Sequence, residues 1–192
     1  MDTFAFRRLD LMEQLEVFEV DHPATQEFKL NRLNELGWKH PENLHFVPID
    51  FTKENLVTAL TSSSSYNPKA KSFFSWFGVI NYITIDEILA TLHSIVNVAS
   101  SGSIVLFNYS NFDAFNSEKF PYMQKAREFL QNIGEVIKTD GLIPSKLEKD
   151  LTSLGLHLKE NLDAREIENR YFKGCMDRYY TFNEHFVCAI VE

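Results

Sequence analysis

The chain has 192 residues and a mass of 22.3 kDa, the size of one ordinary domain, and we treat residues 1–192 as such. Lys and Arg number 19 and Asp and Glu number 27, so the net charge is −8. This acidity argues against nucleic acid as a partner, because proteins that bind it usually carry a basic surface. Apolar residues make up 44% of the chain, which argues against wholesale disorder. No uncharged apolar stretch approaches the ~18 residues of a membrane span, which argues against a membrane segment.

The first eight residues, M-D-T-F-A-F-R-R, do not have the pattern of a secretory signal. They begin neither a strand nor a helix with a clear cap, so we expect the chain to start inside a domain. The two cysteines, Cys175 and Cys188, are too few for a disulfide scaffold and lack C-x-x-C spacing. The favoured interpretation is two reduced thiols in a cytoplasmic protein.

Strand and helix patterns alternate over the first half of the chain. Strands are predicted at 15–20, 44–49, 71–77 and 103–109, and helices at 25–36, 53–60 and 85–101. Thr52 and Thr84 are the expected N-caps of the second and third helices, and Glu87 completes a capping box with Thr84. Gly37 and Gly102 are expected to end the first and third helices.

Apolar spacing predicts which faces of these elements are buried. Phe28, Leu33 and Leu36 fall near one face of the first helix. The strand at 71–77 is apolar nearly throughout, as expected for a strand that is covered on both faces.

The second half is more mixed. Helices are predicted at 117–132, 144–153 and 164–172, and strands at 156–162 and 185–191. The alternation in the first half implies an α/β fold with an open parallel sheet. Ligands of such sheets bind outside the carboxyl ends of the strands, so the residues just past each strand are the informative ones.

Two acidic residues end the first predicted strand. An acid at this place in a nucleotide-binding fold typically accepts hydrogen bonds from the ribose hydroxyls. Asp21 is the preferred candidate, and Glu19, which points the same way on the strand, is the second. The alternative, that Asp21 merely caps the following helix, is equally compatible with the spacing.

Asp50 and Phe51 follow the second predicted strand and offer an acceptor beside an aromatic ring. Adenine has an amino donor and a flat face, so the pair suits it, although a helix-entry Asp and a core Phe would give the same pattern. Trp76, after the third strand, fits the wall of a cofactor pocket or the core. Tyr109, after the fourth, fits an acceptor pocket or the core.

Several longer strings resemble the leucine carboxyl methyltransferase-like family. The most specific is F-E-V-D-H-P-A-T-Q-E-F-K at 18–29, and supporting strings are D-T-F-A-F-R at 2–7, V-P-I-D-F at 47–51, W-F-G-V at 76–79, Y-I at 82–83, G-E at 134–135 and G-L-I-P at 141–144. Together they extend over nearly the whole chain.

This resemblance implies an S-adenosyl-L-methionine-dependent O-methyltransferase with the class I (Rossmann-like) sheet, whose strand order is 3-2-1-4-5-7-6 with strand 7 antiparallel. It implies that Asp21 binds the ribose and that Asp50 and Phe51 lie near the adenine. Trp76 stands where some relatives carry a Glu near the methionine moiety. The implied acceptor is a small-molecule or peptide carboxylate, or a hydroxyl.

One departure from the family is large. Its glycine-rich turn, G-x-G-x-D-T, follows strand 1, and here Met1-Asp2-Thr3 matches only the last three residues. We therefore expect a chain without strand 1 and the N-terminal helices, and two half-sheets with unpaired inner edges. Such edges invite pairing with another chain, so we expect poor stability or self-association.

Methyl transfer needs alignment of acceptor, methyl group and sulfur more than it needs a metal, so no metal ligands are assigned. A carboxylate acceptor needs no base, and no catalytic residue is assigned. Arg7 can hold an acceptor or cofactor carboxylate with two hydrogen bonds. The six histidines are scattered, and each is expected to be structural or on the surface.

Two other functions remain open at this point. An acid after the second strand of such a fold also binds the ribose of NAD, which would make the protein a nicotinamide-dependent oxidoreductase. The lack of a glycine-rich turn equally fits a non-catalytic fragment or interaction module.

Overall fold

The structure is a computed structural model that describes residues 2–115, 121–173 and 184–192. The helices are α1 (Phe4–Arg7), α2 (Leu9–Met12), α3 (Pro23–Glu35), α4 (Leu56–Thr61), α5 (Ile85–Val98), α6 (Phe112–Phe115), α7 (Pro121–Asn132), α8 (Pro144–Ser153) and α9 (Ala164–Tyr171). The strands are β1 (Val17–Asp21), β2 (Leu44–Pro48), β3 (Phe73–Trp76), β4 (Ile104–Ser110), β5 (Leu156–Leu162) and β6 (Glu184–Val191). These elements form two compact units, Met1–Pro68 and Lys69–Glu192.

The first unit contains a two-stranded parallel sheet. β1 pairs with β2 in a register that runs from Val17 opposite Leu44 to Asp21 opposite Pro48. Ala5, Met12 and Leu44 form a small buried cluster that fixes α1 and α2 against β2.

Two short helices, α1 and α2, lie near the N-terminus, and neither has a capping side chain at its N-cap residue, in line with the expectation of no clearly capped helix there. α1 has no capping side chain at Thr3, but the Asp2 carboxylate accepts hydrogen bonds from the backbone N–H groups of Thr3 and Phe4 at 2.6 and 2.9 Å. This contact supplies acceptors for the first turn from one residue further upstream than a usual N-cap.

Helix α3 ends where expected, but it begins two residues before the predicted start at 25 and does not have the expected buried face. Pro23 occupies its first turn, and Gly37 (φ +66°) ends it in the left-handed conformation. Phe28, predicted to be buried, is 62% exposed. The buried face instead consists of Gln26, Lys29 and Leu33. Two polar residues therefore face inward, a choice that hydrophobic spacing cannot predict.

Helix α4 begins later than predicted. Asn55, not Thr52, is its N-cap and accepts a hydrogen bond from the backbone N–H of Val57 at 2.7 Å. The hydroxyl of Thr52 donates to Asp50 instead, so residues 50–54 form a turn before the helix.

The second unit contains a four-stranded sheet in the order β3-β4-β6-β5. β3 is parallel to β4, and β6 is antiparallel to both β4 and β5. Taken one sheet at a time, the parallel β1–β2 pair and the order β3-β4-β6-β5 match strands 2–3 and strands 4-5-7-6 of the class I sheet that the resemblance predicts. The buried core of this sheet is aliphatic and aromatic and includes Val105, Phe107, Val187 and Ala189.

Two details of this unit differ from prediction. Phe73 is 62% exposed, so β3 is not covered on both faces. β3 is also an edge strand, which pairs only with β4 among the described residues. Helix α5 has the predicted Thr84–Glu87 capping box but ends at Val98, and Gly102 (φ +82°) lies in the turn that enters β4.

Some predictions involve residues outside the described part of the chain. The predicted helix at 117–132 corresponds to α7 from Pro121 onward, and residues 116–120 are not described. Cys175 is likewise outside the described residues, whereas Cys188 is a partly buried free thiol on β6. In the described ranges, no helix is both long and apolar enough to cross a membrane.

Candidate functional site

The carboxyl ends of β1 and β2 bring two predicted site residues to one edge of the first unit. Asp21 is the last residue of β1, and Asp50 comes two residues after β2. The backbone N–H of Ile49 donates to the Asp21 carbonyl at 2.9 Å, so the strands stay paired up to the residue before Asp50. Ligands of parallel sheets bind at this kind of edge.

One oxygen of the Asp21 carboxylate already accepts a hydrogen bond within the protein. Oδ1 accepts a hydrogen bond from the backbone N–H of His22 at 2.7 Å. The cap of α3 is His22, whose Nδ1 accepts from the N–H of Ala24 at 3.2 Å, so Asp21 is not the helix cap that the spacing also allowed. Oδ2 makes no hydrogen bond with the described residues and can accept from a ligand.

Glu19 lies on the same strand but has a partner within the protein. Its carboxylate forms an ion pair with Lys29 of α3, and the Glu19 and Lys29 side chains are 16% and 6% exposed. Gln26, one turn before Lys29, donates to the Glu19 carbonyl at 2.9 Å. Of the two acids, Asp21 is therefore the one with an oxygen available to a ligand.

Asp50 organises the turn that follows β2. Its Oδ1 accepts from the backbone N–H and the hydroxyl of Thr52 at 3.0 and 2.6 Å, and its Oδ2 lies 2.7 Å from the ammonium of Lys53. The contact with Lys53, followed by those with Thr52, holds the pKa of Asp50 well below its usual range, so the carboxylate stays ionised. The Lys53 side chain is 76% exposed, and a carboxylate oxygen has more than one lone pair, so Oδ2 is chemically able to accept a further hydrogen bond. Phe51 is half-buried beside it.

Arg7 lies on α1 and is exposed. Its Nε donates to the hydroxyl of Thr3 at 2.9 Å, and its two terminal nitrogens make no hydrogen bond to any described residue. The fork of the guanidinium is therefore open to an anionic group.

A cleft of about 780 Å³ runs beside β2 and α4 in the same unit. Its lining includes His45, Pro48, Asn55 and Thr58, but neither Asp21 nor Asp50.

The other two predicted site residues are buried in the second unit. Trp76 is 8% exposed and packs on Phe107 with the ring centroids 6.3 Å apart, which favours the core alternative for this residue. Tyr109 is fully buried, and this burial raises the pKa of its hydroxyl to about 12.

Tyr109 belongs to a polar cluster that the sequence did not reveal. Its ring stacks on His185 with centroids 4.9 Å apart, and Asn161 donates to its hydroxyl at 3.1 Å. His185 Nδ1 lies 3.1 Å from Asn161 Oδ1, and His185 Nε2 lies 3.4 Å from Asn111 Nδ2. The antiparallel register that places Tyr109 opposite His185 is the cause, and no spacing motif signals it.

An apolar pocket of about 290 Å³ lies on the opposite face of this sheet. Its lining includes Phe77, Leu106, Tyr171, Phe186 and Cys188. The alternation of side chains along β6 separates this pocket from His185, because neighbouring strand residues point to opposite faces.

Solved structures share the architecture. A DUF574-family protein from Streptomyces avermitilis is similar over 92% of this chain and 65% of its own, with a TM-score of 0.66 and 10% identity. The mitomycin 7-O-methyltransferase MmcR is similar over 96% of this chain and 44% of its own (TM-score 0.57, 15% identity). The magnesium protoporphyrin IX methyltransferase of Synechocystis is similar over 92% and 64% (TM-score 0.50, 10% identity). At these identities the likeness shows the fold, which is the class I methyltransferase α/β fold.

Sequence relatives narrow this class to one family. The family model described as leucine carboxyl methyltransferase matches residues 1–96, half of the chain. A Bacillus subtilis (strain 168) protein described as a putative S-adenosyl-L-methionine-dependent methyltransferase, YktD, is 33% identical over 195 residues. The match covers 99% of this chain and 62% of YktD, so the chain spans less than two thirds of that relative's length. The chain belongs to the leucine carboxyl methyltransferase family.

Proposed function

We propose that this protein binds S-adenosyl-L-methionine and acts as an O-methyltransferase on a carboxylate or hydroxyl, either of a small metabolite or of a protein C-terminus. The observation that carries the proposal is the Asp21 carboxylate, which ends β1 with one oxygen free of hydrogen bonds to the described residues. Membership of the family supports the cofactor over NAD.

The residues at the edge of the first unit fit the nucleoside part of this cofactor. Asp21 is suited to accept hydrogen bonds from the ribose hydroxyls, since an ionised carboxylate offers several lone pairs. Asp50, kept ionised by Lys53 and Thr52, is suited to accept from the adenine amino group, with the ring of Phe51 against the base. Glu19, paired with Lys29, has a supporting role, and Trp76 would act through packing.

When bound, the cofactor supplies an electrophilic methyl group on a positively charged sulfur. The contribution of the protein is to fix the nucleoside at the strand ends and to orient the acceptor, since alignment dominates the rate of such a transfer. The open guanidinium of Arg7 is suited to hold a carboxylate, and Tyr109 would shape the acceptor side from within the core.

The proposal is tested by isothermal titration of the 192-residue chain with S-adenosylhomocysteine and, separately, with NAD. Asp21→Asn is expected to weaken S-adenosylhomocysteine binding about tenfold or more, because a hydrogen bond to a charged group is lost. Glu27→Gln, an equal change of charge at an exposed position of α3, is the matched control and should bind like the wild type. Wild-type protein that binds NAD but not S-adenosylhomocysteine would contradict the proposal.

A further inference from the structure

Lys29 is a buried cation that the proposed function does not use. The Lys29 side chain is only 6% exposed. The 13-residue helix α3 that carries it is mostly polar, so such deep burial of a lysine is unusual there. A buried ammonium is uncommon unless it is paired and hydrogen-bonded. Its surroundings therefore indicate what it holds in place.

The ammonium of Lys29 joins three parts of the first unit. It pairs with the carboxylate of Glu19 on β1, and it donates to the backbone carbonyl of Asp2 at 2.6 Å. The rings of Phe6 and Phe46 lie 5.7 and 5.8 Å from the same nitrogen, within the range of cation–π attraction. One atom thus connects α3, β1 and the segment that leads into α1.

Asp2 and Thr3 form the turn that leads into α1, here called the Asp2–Thr3 turn, and Lys29 of α3 binds its backbone. The Asp2 carboxylate caps α1 through the N–H groups of Thr3 and Phe4, while the Asp2 carbonyl is bound by Lys29. Thr3 in turn accepts the hydrogen bond from Arg7. Loss of the ammonium would free the carbonyl and the turn with it.

The same ammonium is anchored close to the candidate site. Glu19 and Asp21 are two residues apart on β1, so their side chains point to the same side of the strand. The Asp2–Thr3 turn is therefore fixed relative to the end of β1 that carries Asp21.

We propose that Lys29 is a positioning residue for the cofactor site: through Glu19 and the Asp2 carbonyl it connects the Asp2–Thr3 turn to β1, the strand that ends at Asp21. This inference rests on the proposed function, since it assigns the turn to the surroundings of the cofactor. Replacing a buried ion pair with neutral side chains is often harmless to stability, so position and stability can be separated by experiment.

The test compares variants of the full 192-residue chain. The double variant Lys29→Met, Glu19→Gln removes both charges and leaves no buried ion unpaired. We expect its urea unfolding midpoint to stay near the wild-type value, its affinity for S-adenosylhomocysteine to fall about tenfold, and its amides in Phe4–Arg7 to exchange hydrogen faster.

Gln26→Leu is the matched structural control. Gln26 is as buried as Lys29, lies on the same face of α3 and binds the Glu19 carbonyl, but it makes no contact with Asp2. If Lys29 only supported packing, both changes would reduce ligand affinity in proportion to the stability lost. We expect the affinity loss to follow Lys29 alone.

A folded double variant with wild-type affinity, within about twofold, would overturn the inference. Should that variant not fold, Lys29→Gln with Glu19→Gln replaces the ion pair by an amide pair whose shorter arm leaves the Asp2 carbonyl unbound, with the same expectations. If the wild type does not bind S-adenosylhomocysteine, the proposed function fails. Hydrogen exchange in Phe4–Arg7 then tests by itself whether Lys29 fixes the turn at Asp2. Unchanged exchange in the double variant would refute that role of Lys29.

Discussion

Glu19 and Asp21 lie two residues apart on one face of β1, and yet their carboxylates have different surroundings. Lys29 pairs with the Glu19 carboxylate, whereas the Asp21 carboxylate accepts a hydrogen bond only from the backbone N–H of His22 among the described residues. The two side chains carry the same chemical group, but the carboxylate of Glu19 forms an internal ion pair, whereas that of Asp21 is available as an acceptor. The difference depends on which residues α3 turns toward the strand, and that is a tertiary choice.

The buried His185 predicts a pH dependence of stability at the residue scale. Burial lowers the pKa of its imidazole below the ordinary 6.5, and the charges of Asp163 and Glu166 offset this only in part. The folded protein therefore binds this proton less readily than the unfolded chain. The stability of the fold that depends on a neutral His185 is therefore fully present above pH 6.5. It is lost as the pH falls from 6.5 toward the lowered pKa of the imidazole.

The measurement is urea unfolding of the wild type and of His185→Gln at pH 7.5 and 5.5. Carboxylates titrate in both proteins, so the informative quantity is the difference between them. We expect the wild type to lose more free energy of unfolding on acidification than the variant does. Equal losses would show that His185 is protonated in the folded state as easily as in the unfolded chain.

At the scale of elements, the junction after β4 depends on a glycine. Leu142 exchanges backbone hydrogen bonds with Ser110 and Phe112, both at 2.9 Å, which places residues 141–142 directly against the end of the strand. A Cβ on Gly141, whose φ is +96°, would lie 2.1 Å from the Ser110 carbonyl oxygen. This contact explains physically why the G-L-I-P string begins with glycine.

Gly141→Ala is accordingly expected to destabilise the protein more than Gly134→Ala does. Gly134 has a similar φ of +88°, but a Cβ there meets nothing within 4 Å, so this variant isolates the conformational cost of about 1–2 kcal/mol. The clash at Gly141 should add about 1–3 kcal/mol, because the backbone it meets cannot move freely. Chemical denaturation of both variants measures the difference, and equal destabilisation would contradict the close approach.

At the scale of the whole molecule, the strands form two separate sheets. β1 has one strand partner, β2, and β3 has one, β4, within the described part of the chain. Each sheet therefore presents a strand edge whose backbone groups lack a strand partner. Such edges pair readily with other chains, and natural proteins usually protect them with charges, bulges or a covering element.

We therefore expect the 192-residue chain, studied by itself, to self-associate or to be poorly stable. Sedimentation velocity at several concentrations and a thermal melt measure both properties. Phe73→Lys places a charge on the exposed edge strand β3 and should weaken association, whereas Phe129→Lys, at an equally exposed position on α7, should not. A pure monomer with a cooperative transition would refute this expectation.

The sequence predicted the strands, most helices, the strand order within each sheet and the two carboxylates at the strand ends. These follow from short-range signals, because alternation, capping residues and glycines act within a few residues of one another. Family strings supplied the order of the strands, which periodicity cannot. The errors that remained were local, as at Thr52 and Phe28, where more than one neighbour could satisfy the same pattern.

Tertiary structure decided the partners of the polar residues. Lys29 and Gln26 face inward because Glu19 and the Asp2 carbonyl supply hydrogen-bond acceptors for them within the first unit. Tyr109 contacts His185 and Asn161 because antiparallel pairing brings distant segments of the chain together. Hydrophobic spacing carries no information about such pairs, since a buried polar group is stable only when a specific partner lies within hydrogen-bond distance. That partner is set by strand register and helix rotation, which exist only in the folded chain.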